Sequence, residues 1–214
     1  MQVSDRLPDP ARTGVGVVLS SEWVSPSPEV TADAVIEAWR DQPWPVGLLT
    51  YALYVDTEGD LIRDYSQWTT EQASDDFSRS GHQLPVERRD HAKYRLYRGD
   101  RDEDGRTPGA IVAVRVDTDG PEVARAWVDS VFEALEQDEH LPPGGLGAFF
   151  HISTDGRQVL NYAEWISPEA HRQALAATGR GISQGPLWDK VQSTPGVRPR
   201  SVTRYRLHAT LLPG

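Results

Sequence analysis

Three residues in the stretch 158–165 have types and spacing that could carry chemistry. Alternate residues of a strand share a face, so Asn161, Ala163 and Trp165 lie on one side of it. At about 3.3 Å per residue, the amide and the indole are roughly 13 Å apart, with the small Ala163 between them. An amide, an indole and a gap sized for fused rings predict an apolar pocket with one orienting polar group. Ordinary packing is the alternative, because a Trp that ends a strand is often a core residue.

The sequence of a tight turn predicts the hairpin that holds these residues. Two mainly apolar runs, 146–153 and 158–165, are separated by Thr154-Asp155-Gly156-Arg157. An Asp-Gly pair favours the positive φ of a tight hairpin turn. A helix is predicted after the second strand, because Ser167 is a good N-cap residue and Pro168 suits the first helical position.

A strand and a helix are predicted before this hairpin. Residues 111–116 form a β-branched run, and Pro121 follows an Asp-Thr-Asp-Gly turn, where it can begin a helix. That helix has one apolar face, made by Val123, Trp127, Val131 and Leu135. With a final strand near the chain end, the second half of the sequence reads βαββαβ.

The first half of the chain repeats this pattern. Residues 49–68 match residues 146–165 at a constant offset of 97 positions, without a gap. Identical pairs include Thr57 with Thr154, Gly59 with Gly156, Tyr65 with Tyr162, and Trp68 with Trp165. Tyr94 and Tyr205 lie near the ends of the two halves in a shared Tyr-Arg-Leu sequence, at an offset of 111. A period near 100 residues is that of a duplicated domain.

The predicted fold class is α+β, with two tandem ferredoxin-like βαββαβ repeats. Their antiparallel sheets are expected to form an intramolecular pseudo-dimeric α/β barrel. We expect the first repeat at 1–100, a linker at 101–109 and the second repeat at 110–214. The acidic residues around the linker imitate a calcium loop, but Ile111 stands where an EF-hand needs its bidentate Glu, so a solvated linker is expected.

Composition excludes several classes of function. The chain has 214 residues, of which 38% are hydrophobic, and its net charge of −10 argues against a nucleic-acid partner. The absence of Cys excludes thiolate zinc sites and a Cys nucleophile. Neither a membrane span nor a secretory signal is found, so we expect a cytoplasmic protein, monomeric as a pseudo-dimer or a homodimer.

The segment Asn161-Tyr162-Ala163-Glu164-Trp165-Ile166-Ser167-Pro168-Glu169-Ala170-His171 resembles the signature of the antibiotic biosynthesis monooxygenase family. Its most specific element is Asn-x-x-x-Trp followed by Ser-x-Glu-Ala-His, and the resemblance covers both halves as a fused tandem. Members of this family are small ferredoxin-like proteins that pair as dimeric α+β barrels. They include enzymes that oxygenate aromatic polyketide intermediates such as anthrones with O2, without flavin, haem or metal. The resemblance maps Asn161 and Trp165 onto residues that line the substrate site.

The resemblance implies a cofactor-independent monooxygenase acting on a small aromatic anthrone or phenol with O2, with its site in the second repeat. Such a substrate can itself donate an electron to O2, so the protein must favour the deprotonated form and exclude water. Asn161 could donate a hydrogen bond to the enolate oxygen. Trp165, Phe149 and Trp188 could form apolar walls. His151 is the best candidate proton acceptor, because imidazole titrates near neutral pH; a structural strand histidine is the alternative. We expect no cofactor and no metal.

The first half departs from the pattern. Asp64 replaces the Asn and Ser66 the Ala before Trp68, and no His follows. A carboxylate would repel an enolate, so the first half is either a scaffold, which we favour, or uses Asp64 as a base on another substrate. His171 is interpreted as mainly structural, and the Gly- and Pro-rich segment 179–199 as a cover for the second site.

Other functions fit the sequence less well. A catalytically silent ligand-binding or structural protein stays open, because a fold does not determine a function. A haem-binding protein is a further alternative, although the related haem-degrading enzymes carry an axial His where this chain has Leu175 and Ser78. Residues 181–185 satisfy Gly-x-Ser-x-Gly, but a nucleophile elbow needs a strand before and a helix after the Ser, and Pro186 follows here.

Overall fold

The computed structural model describes residues 1–40, 42–80, 89–102, 105–137, 143–177 and 184–214. Within these ranges the elements, in chain order, are β1 (Gln2–Ser4), β2 (Val17–Val24), α1 (Pro28–Arg40), β3 (Leu48–Asp56), β4 (Leu61–Trp68), α2 (Glu71–Arg79), β5 (Arg89–Arg101), β6 (Ala110–Thr118), α3 (Pro121–Glu136), β7 (Gly145–Ser153), β8 (Gln158–Trp165), α4 (Pro168–Ala176), α5 (Pro186–Gln192) and β9 (Val197–Leu212). None of the described helices is long and apolar enough to cross a membrane.

The chain packs as two compact units. Unit 1 contains Met1–Arg95 and Tyr205–Gly214, and unit 2 contains Leu96–Arg204. The boundaries between the units fall inside the long strands β5 and β9. The units are defined by packing, whereas the predicted repeats 1–100 and 110–214 are stretches of sequence, and the boundaries of the repeats stay a prediction.

Each unit contains an antiparallel sheet with the same internal order. In unit 1 the strands lie in the order β1-β9-β3-β4-β2-β5, and in unit 2 in the order β5-β7-β8-β6, with β9 beside β6. Across the sheet, the strands of the first repeat lie in the order β5-β2-β4-β3, and those of the second repeat in the order β9-β6-β8-β7. In each repeat the fourth strand is therefore followed by the first, the third and the second. With a helix after the first and third strands, this is the βαββαβ arrangement of ferredoxin-like folds. The prediction of two ferredoxin-like α+β repeats is confirmed.

The helices that follow the two hairpins begin at hydroxyl caps. Thr70 Oγ1 accepts a hydrogen bond from the Ala73 amide at 3.1 Å, and Ser167 Oγ accepts one from the Ala170 amide at 3.1 Å. Each cap satisfies an amide that has no partner within its helix. The predicted start of α4 at Ser167, with Pro168 in the first turn, is confirmed.

Aromatic rings fill the helix side of the sheet in unit 1. The Trp39 ring lies 4.8 Å from Tyr51 and stacks on Phe77 at 5.6 Å, measured between centroids. Phe77 also contacts Trp68 at 5.2 Å. Trp39, Tyr51 and Trp68 are each at most 2% exposed, so these rings form a close-packed core.

The sequence patterns did not predict two short elements. β1 has three residues and pairs with the end of β9, so its existence depends on a partner more than 200 positions away. α5 lies in the segment that was interpreted as a cover for the second site. Residues 178–183 of that region lie outside the described residues, and with them most of the Gly-x-Ser-x-Gly match.

Replacing Tyr51 by Ala should lower the free energy of unfolding by about 3–5 kcal/mol, because it removes a buried ring and leaves a cavity beneath Trp39. Chemical denaturation followed by tryptophan fluorescence measures the change. Val46→Ala is the control, since Val46 is 92% exposed and its truncation should change stability by less than about 0.5 kcal/mol. Equal effects of the two substitutions would contradict the packing described for unit 1.

Candidate active site

The register of β8 determines which side chains face the helices of unit 2. Asn161 pairs with Val114 on β6 and with Phe150 on β7, and Ala163 pairs with Ala148 on β7. Directly opposed residues of antiparallel strands share a face of the sheet. Asn161 and Ala163 therefore lie together on the face that α3 and α5 cover through Phe150 and its apolar neighbours.

A cavity of about 800 Å³ lies on this face, with walls from the sheet and from α3, α4 and α5. This volume is within the range of pockets that enclose small molecules. Of the residues predicted for the site, Asn161, Ala163, Trp165 and Trp188 line the cavity. Its apolar walls also include Val112, Val114, Val131, Phe132, Leu135 and Phe150.

One small side chain that lines this cavity stands where unit 1 carries a ring, when the repeats are aligned at their offset of 97 positions. Ala148 of unit 2 corresponds to Tyr51 of unit 1, and Ala174, in a buried cluster with Ala163 and Trp165, corresponds to Phe77. In unit 1 those two rings pack against Trp39 and occupy the space between sheet and helices. The two units thus share a strand order, but aromatic rings fill the space between sheet and helices in unit 1, whereas a cavity lies there in unit 2.

Two buried polar atoms at the cavity have no hydrogen-bond partner among the described residues. They are Oδ1 of the Asn161 carboxamide and Nε1 of the Trp188 indole. A buried polar group without a partner costs about 1–3 kcal/mol, so such groups call for a physical explanation. A bound molecule with polar groups of its own would supply the missing partners at a site otherwise walled by apolar side chains.

One end of the cavity is charged and half-exposed. Arg98 lies over the Phe132 ring at 4.1 Å and its guanidinium is 2.8 Å from Glu136 Oε1. Arg101 makes two hydrogen bonds of 2.8 Å to Glu164, whose side chain is 1% exposed. No three His, Cys, Asp or Glu side chains are grouped to hold a metal ion in the part of the chain that the structure describes. This end therefore consists of ion pairs that border solvent.

Phe149 and His151 lie on the opposite face of the sheet. They pair with Tyr162 and Leu160, and neither lines the cavity. His151 is fully buried, its Nδ1 is 3.0 Å from the Phe149 carbonyl oxygen, and burial lowers the pKa of its imidazole to about 4. The structure does not bring these two residues together with Asn161, because alternation along β7 turns their side chains away.

Two residues that were not predicted for the site line the cavity. His171, on α4, is 3% exposed and meets the Trp165 ring edge-on, with ring centroids 4.8 Å apart. Arg204, on β9, donates from Nε to His171 Nδ1 at 3.0 Å. A signal for His171 was present, because helical spacing from the predicted start at Ser167 places it on the face of α4 that also carries buried Ala174.

The corresponding polar residues of unit 1 are committed to internal hydrogen bonds. Asp64, 2% exposed, accepts from the Ser21 amide at 2.5 Å. Ser66 Oγ accepts from Trp68 Nε1 at 3.0 Å. Asp64 and Ser66, which stand in unit 1 where unit 2 has Asn161 and Ala163, thus stabilise unit 1 through internal hydrogen bonds.

His151 should make the protein sensitive to mild acid. Because its imidazole has a pKa of about 4 when folded and about 6.5 when unfolded, the unfolded chain takes up a proton first as the pH falls. The stability that neutral His151 provides is complete above pH 6.5 and is lost toward pH 4, a change on the order of 3 kcal/mol. Urea unfolding of wild type and His151→Leu at several pH values measures this slope. An unchanged slope in the variant would contradict the assignment.

Comparisons with known proteins found a similar enzyme over part of the chain. No family profile matches the chain. Over 74 residues it is 38% identical to the tetracenomycin F1 monooxygenase of Streptomyces glaucescens, a stretch that covers 35% of this chain and 65% of that protein. The chain thus spans less than two thirds of the length of this relative.

Two solved structures share the fold. An anthrone oxidase-like protein has a TM-score of 0.72 at 12% identity, over 100% of this chain and 97% of that chain. A ferredoxin fold protein related to antibiotic biosynthesis monooxygenases, from Listeria monocytogenes 4b F2365, has a TM-score of 0.50 at 12% identity, over 90% of this chain and 95% of that chain. The protein is therefore a homologue of tetracenomycin F1 monooxygenase, with the fold of ferredoxin-like proteins related to antibiotic biosynthesis monooxygenases.

Proposed function

We propose that this protein is a cofactor-independent monooxygenase that oxidises an aromatic, polyketide-like anthrone or phenol with O2 in the cavity of unit 2. The observation that carries the proposal is one apolar cavity of about 800 Å³ lined by Asn161, Ala163 and Trp165. Homology to a monooxygenase supports the reaction class. The flat walls formed by Trp165 and Trp188 suit a fused aromatic ring system.

The reaction needs little from the protein beyond binding and electrostatics. An anthrone loses a proton to give an enolate, the enolate passes one electron to O2, and the two radicals combine to form a carbon–oxygen bond. The resulting peroxide anion takes up a proton from solvent and loses water, so the ring methylene becomes a carbonyl, and the second oxygen atom leaves as water with that proton and the remaining methylene hydrogen. Asn161 stabilises the enolate by donating an amide N–H to its oxygen, and the apolar walls exclude water from the radical pair.

The proton of the substrate leaves toward solvent at the charged end of the cavity, where Arg98 is 40% exposed. His151 is not part of this proposal. It faces away from the cavity, and an imidazole with a pKa of about 4 is a poor proton acceptor at neutral pH. Phe149 faces away in the same manner and supports the sheet rather than the substrate.

Unit 1 serves as a scaffold in this proposal. Its Asp64 and Ser66 are engaged in hydrogen bonds, and Tyr51 and Phe77 fill the space that corresponds to the cavity. A carboxylate in place of Asn161 would also repel an enolate.

Asn161→Ala should lower kcat/KM for oxygen uptake with emodin anthrone by about a hundredfold, because it removes the donor to the enolate oxygen. Oxygen consumption by metal-stripped protein, corrected for autoxidation without protein, measures the rate. Asp64→Asn is the matched control in unit 1; it keeps an oxygen for the Ser21 amide and should leave the rate unchanged. Uptake by Asn161→Ala equal to that of wild type would exclude the role of this amide.

Ala148→Tyr should close the cavity by introducing the side chain that unit 1 carries at Tyr51. We expect a folded protein, since the repeat accommodates this ring in unit 1, with loss of binding of the hydroxyanthraquinone emodin. Emodin absorbance measures binding, and circular dichroism checks the fold. Ala148→Ser is the control, because it adds only one heavy atom. Wild-type affinity in a folded Ala148→Tyr variant would place the ligand outside this cavity.

A further inference from the structure

Two rows of three side chains cross the helix side of the unit 2 sheet at Asn161 and Ala163. The pairing of β8 with β6 and β7 places them as follows: Val114, Asn161 and Phe150 in one row, and Val112, Ala163 and Ala148 in the next. All six side chains line the cavity. They form the part of the sheet against which a bound molecule would pack.

Four of these six side chains are accessible, and the two at opposite corners are closed. Ala163 is 8% exposed, and the other three accessible residues are half-buried. Val112 is 0% and Phe150 is 1% exposed, because the first is packed beneath α4 and the second beneath aromatic rings of α3. The accessible side chains therefore form a diagonal strip across three strands, which we call the floor: Val114, Asn161, Ala163 and Ala148.

The corresponding strip of unit 1 is closed. The strand pairings of unit 1 give the equivalent residues, and each of them is at most 4% exposed: Ser21, Asp64, Ser66 and Tyr51. The Ser21 amide donates to Asp64, and the Tyr51 ring packs against Trp39. An open floor is therefore not a requirement of the fold, and it occurs in the repeat that carries Asn161.

The dimensions of the floor follow from sheet geometry. With strands about 4.8 Å apart and residues about 3.3 Å apart, Val114 and Ala148 lie roughly 12 Å from each other across β8. Asn161 and Ala163 lie on opposite sides of the midpoint of this line. Three linearly fused six-membered rings have a comparable length. Two rings leave one end of the floor uncovered, and an angular three-ring system turns away from the line.

The helix side of the cavity supplies an apolar surface that faces the sheet. Leu135 of α3 and Trp188 of α5 line the cavity and are half-buried. A narrow space between two apolar surfaces favours flat aromatic rings, which bury a large area on both faces.

We propose that Val114 and Ala148 determine which ring systems this protein accepts, and that the substrate is a linear three-ring aromatic lying flat on the floor. Its end rings pack on Val114 and Ala148. Its central ring lies over β8, with the ring oxygen beside Asn161 and the opposite ring carbon, at which oxygen is introduced, over Ala163. The inference rests on the proposed function, because it orients the aromatic substrate in the same cavity.

The first test uses wild-type protein with ¹³C-labelled Ala and Val methyl groups. Binding of emodin, a linear three-ring compound, should shift the methyl signals of Val114, Ala163 and Ala148 upfield together, because each lies beneath the face of an aromatic ring. Val114→Ala and Ala148→Ser identify the signals of the two end residues. Upfield shifts that leave out Val114 or Ala148, or no saturable shift at all, would overturn the orientation.

The second test compares two isomers with the same two oxygen atoms, the linear 9,10-anthraquinone and the angular 9,10-phenanthrenequinone. Wild type should bind the linear isomer more tightly by about tenfold, because the angular isomer meets the closed corners at Val112 and Phe150. Quenching of tryptophan fluorescence measures both affinities. Equal affinities would reject the specificity for ring shape.

The third test blocks each end of the floor with a ring. Val114→Phe and Ala148→Tyr should each weaken binding of 9,10-anthraquinone by about tenfold. Binding of 1,4-naphthoquinone should change by less than about threefold, because two rings still fit on the open end. Val30→Phe, at a position of α1 that is 68% exposed, is the control and should change neither affinity.

Circular dichroism confirms folding of each variant. An equal loss of both quinones in a folded variant would contradict the assignment, because it would mean that the substitution closes the whole cavity and not one end of the floor.

The two proposals fail in different ways. Quinone binding that shows the expected shape preference, without oxygen uptake from emodin anthrone, would retain the floor and reject the oxygenase. Oxygen uptake that depends on Asn161, together with equal binding of the linear and angular isomers, would retain the oxygenase and reject the orientation.

Discussion

The register of β8 between β6 and β7 is the constraint on which the second unit depends. A slip of one residue would turn Tyr162 and Glu164 into the cavity and remove Asn161 from it, since side chains alternate along a strand. The Asp155-Gly156 turn holds this register, with Gly156 at a φ of 70°. A Cβ on Gly156 would lie 2.6 Å from Pro121, so the turn also packs against the first residue of α3. On the other face, Glu164 is held by Arg101.

Given this framework, the difference between the units is a matter of side-chain volume. The units have the same order of their own strands and the same capped helix after the hairpin. Tyr51 fills the helix side of the sheet in unit 1, whereas Ala148 at the corresponding position lines the cavity in unit 2. An unfilled apolar volume lowers stability, because its lining atoms lose dispersion contacts. The aromatic packing of unit 1 therefore stabilises that unit, whereas the cavity that is the candidate site lowers the stability of unit 2.

The charged side chains that line the cavity are paired with other residues. The chain has a net charge of −10, but the cavity is bordered by Arg98, Arg101 and Arg204. Arg98 and Arg101 are bound to carboxylates at the half-exposed end. Arg204 is bound to a histidine at the end occupied by Trp165.

Local sequence determined much of this protein. The duplication, the tight Asp155-Gly156 turn, the Ser167 cap and the shared face of Asn161, Ala163 and Trp165 were all readable, because each depends on residues within a few positions of one another. Tertiary structure decided the rest. Alternation shows that Phe149 and His151 share a face, but only pairing with β8 shows that this face is turned away from Asn161. Arg204 reaches His171 from a strand 33 positions along the chain, and β1 exists only beside the end of β9. Contacts between distant segments produce no periodic pattern in the sequence. Only the tertiary structure therefore shows which residues line the cavity.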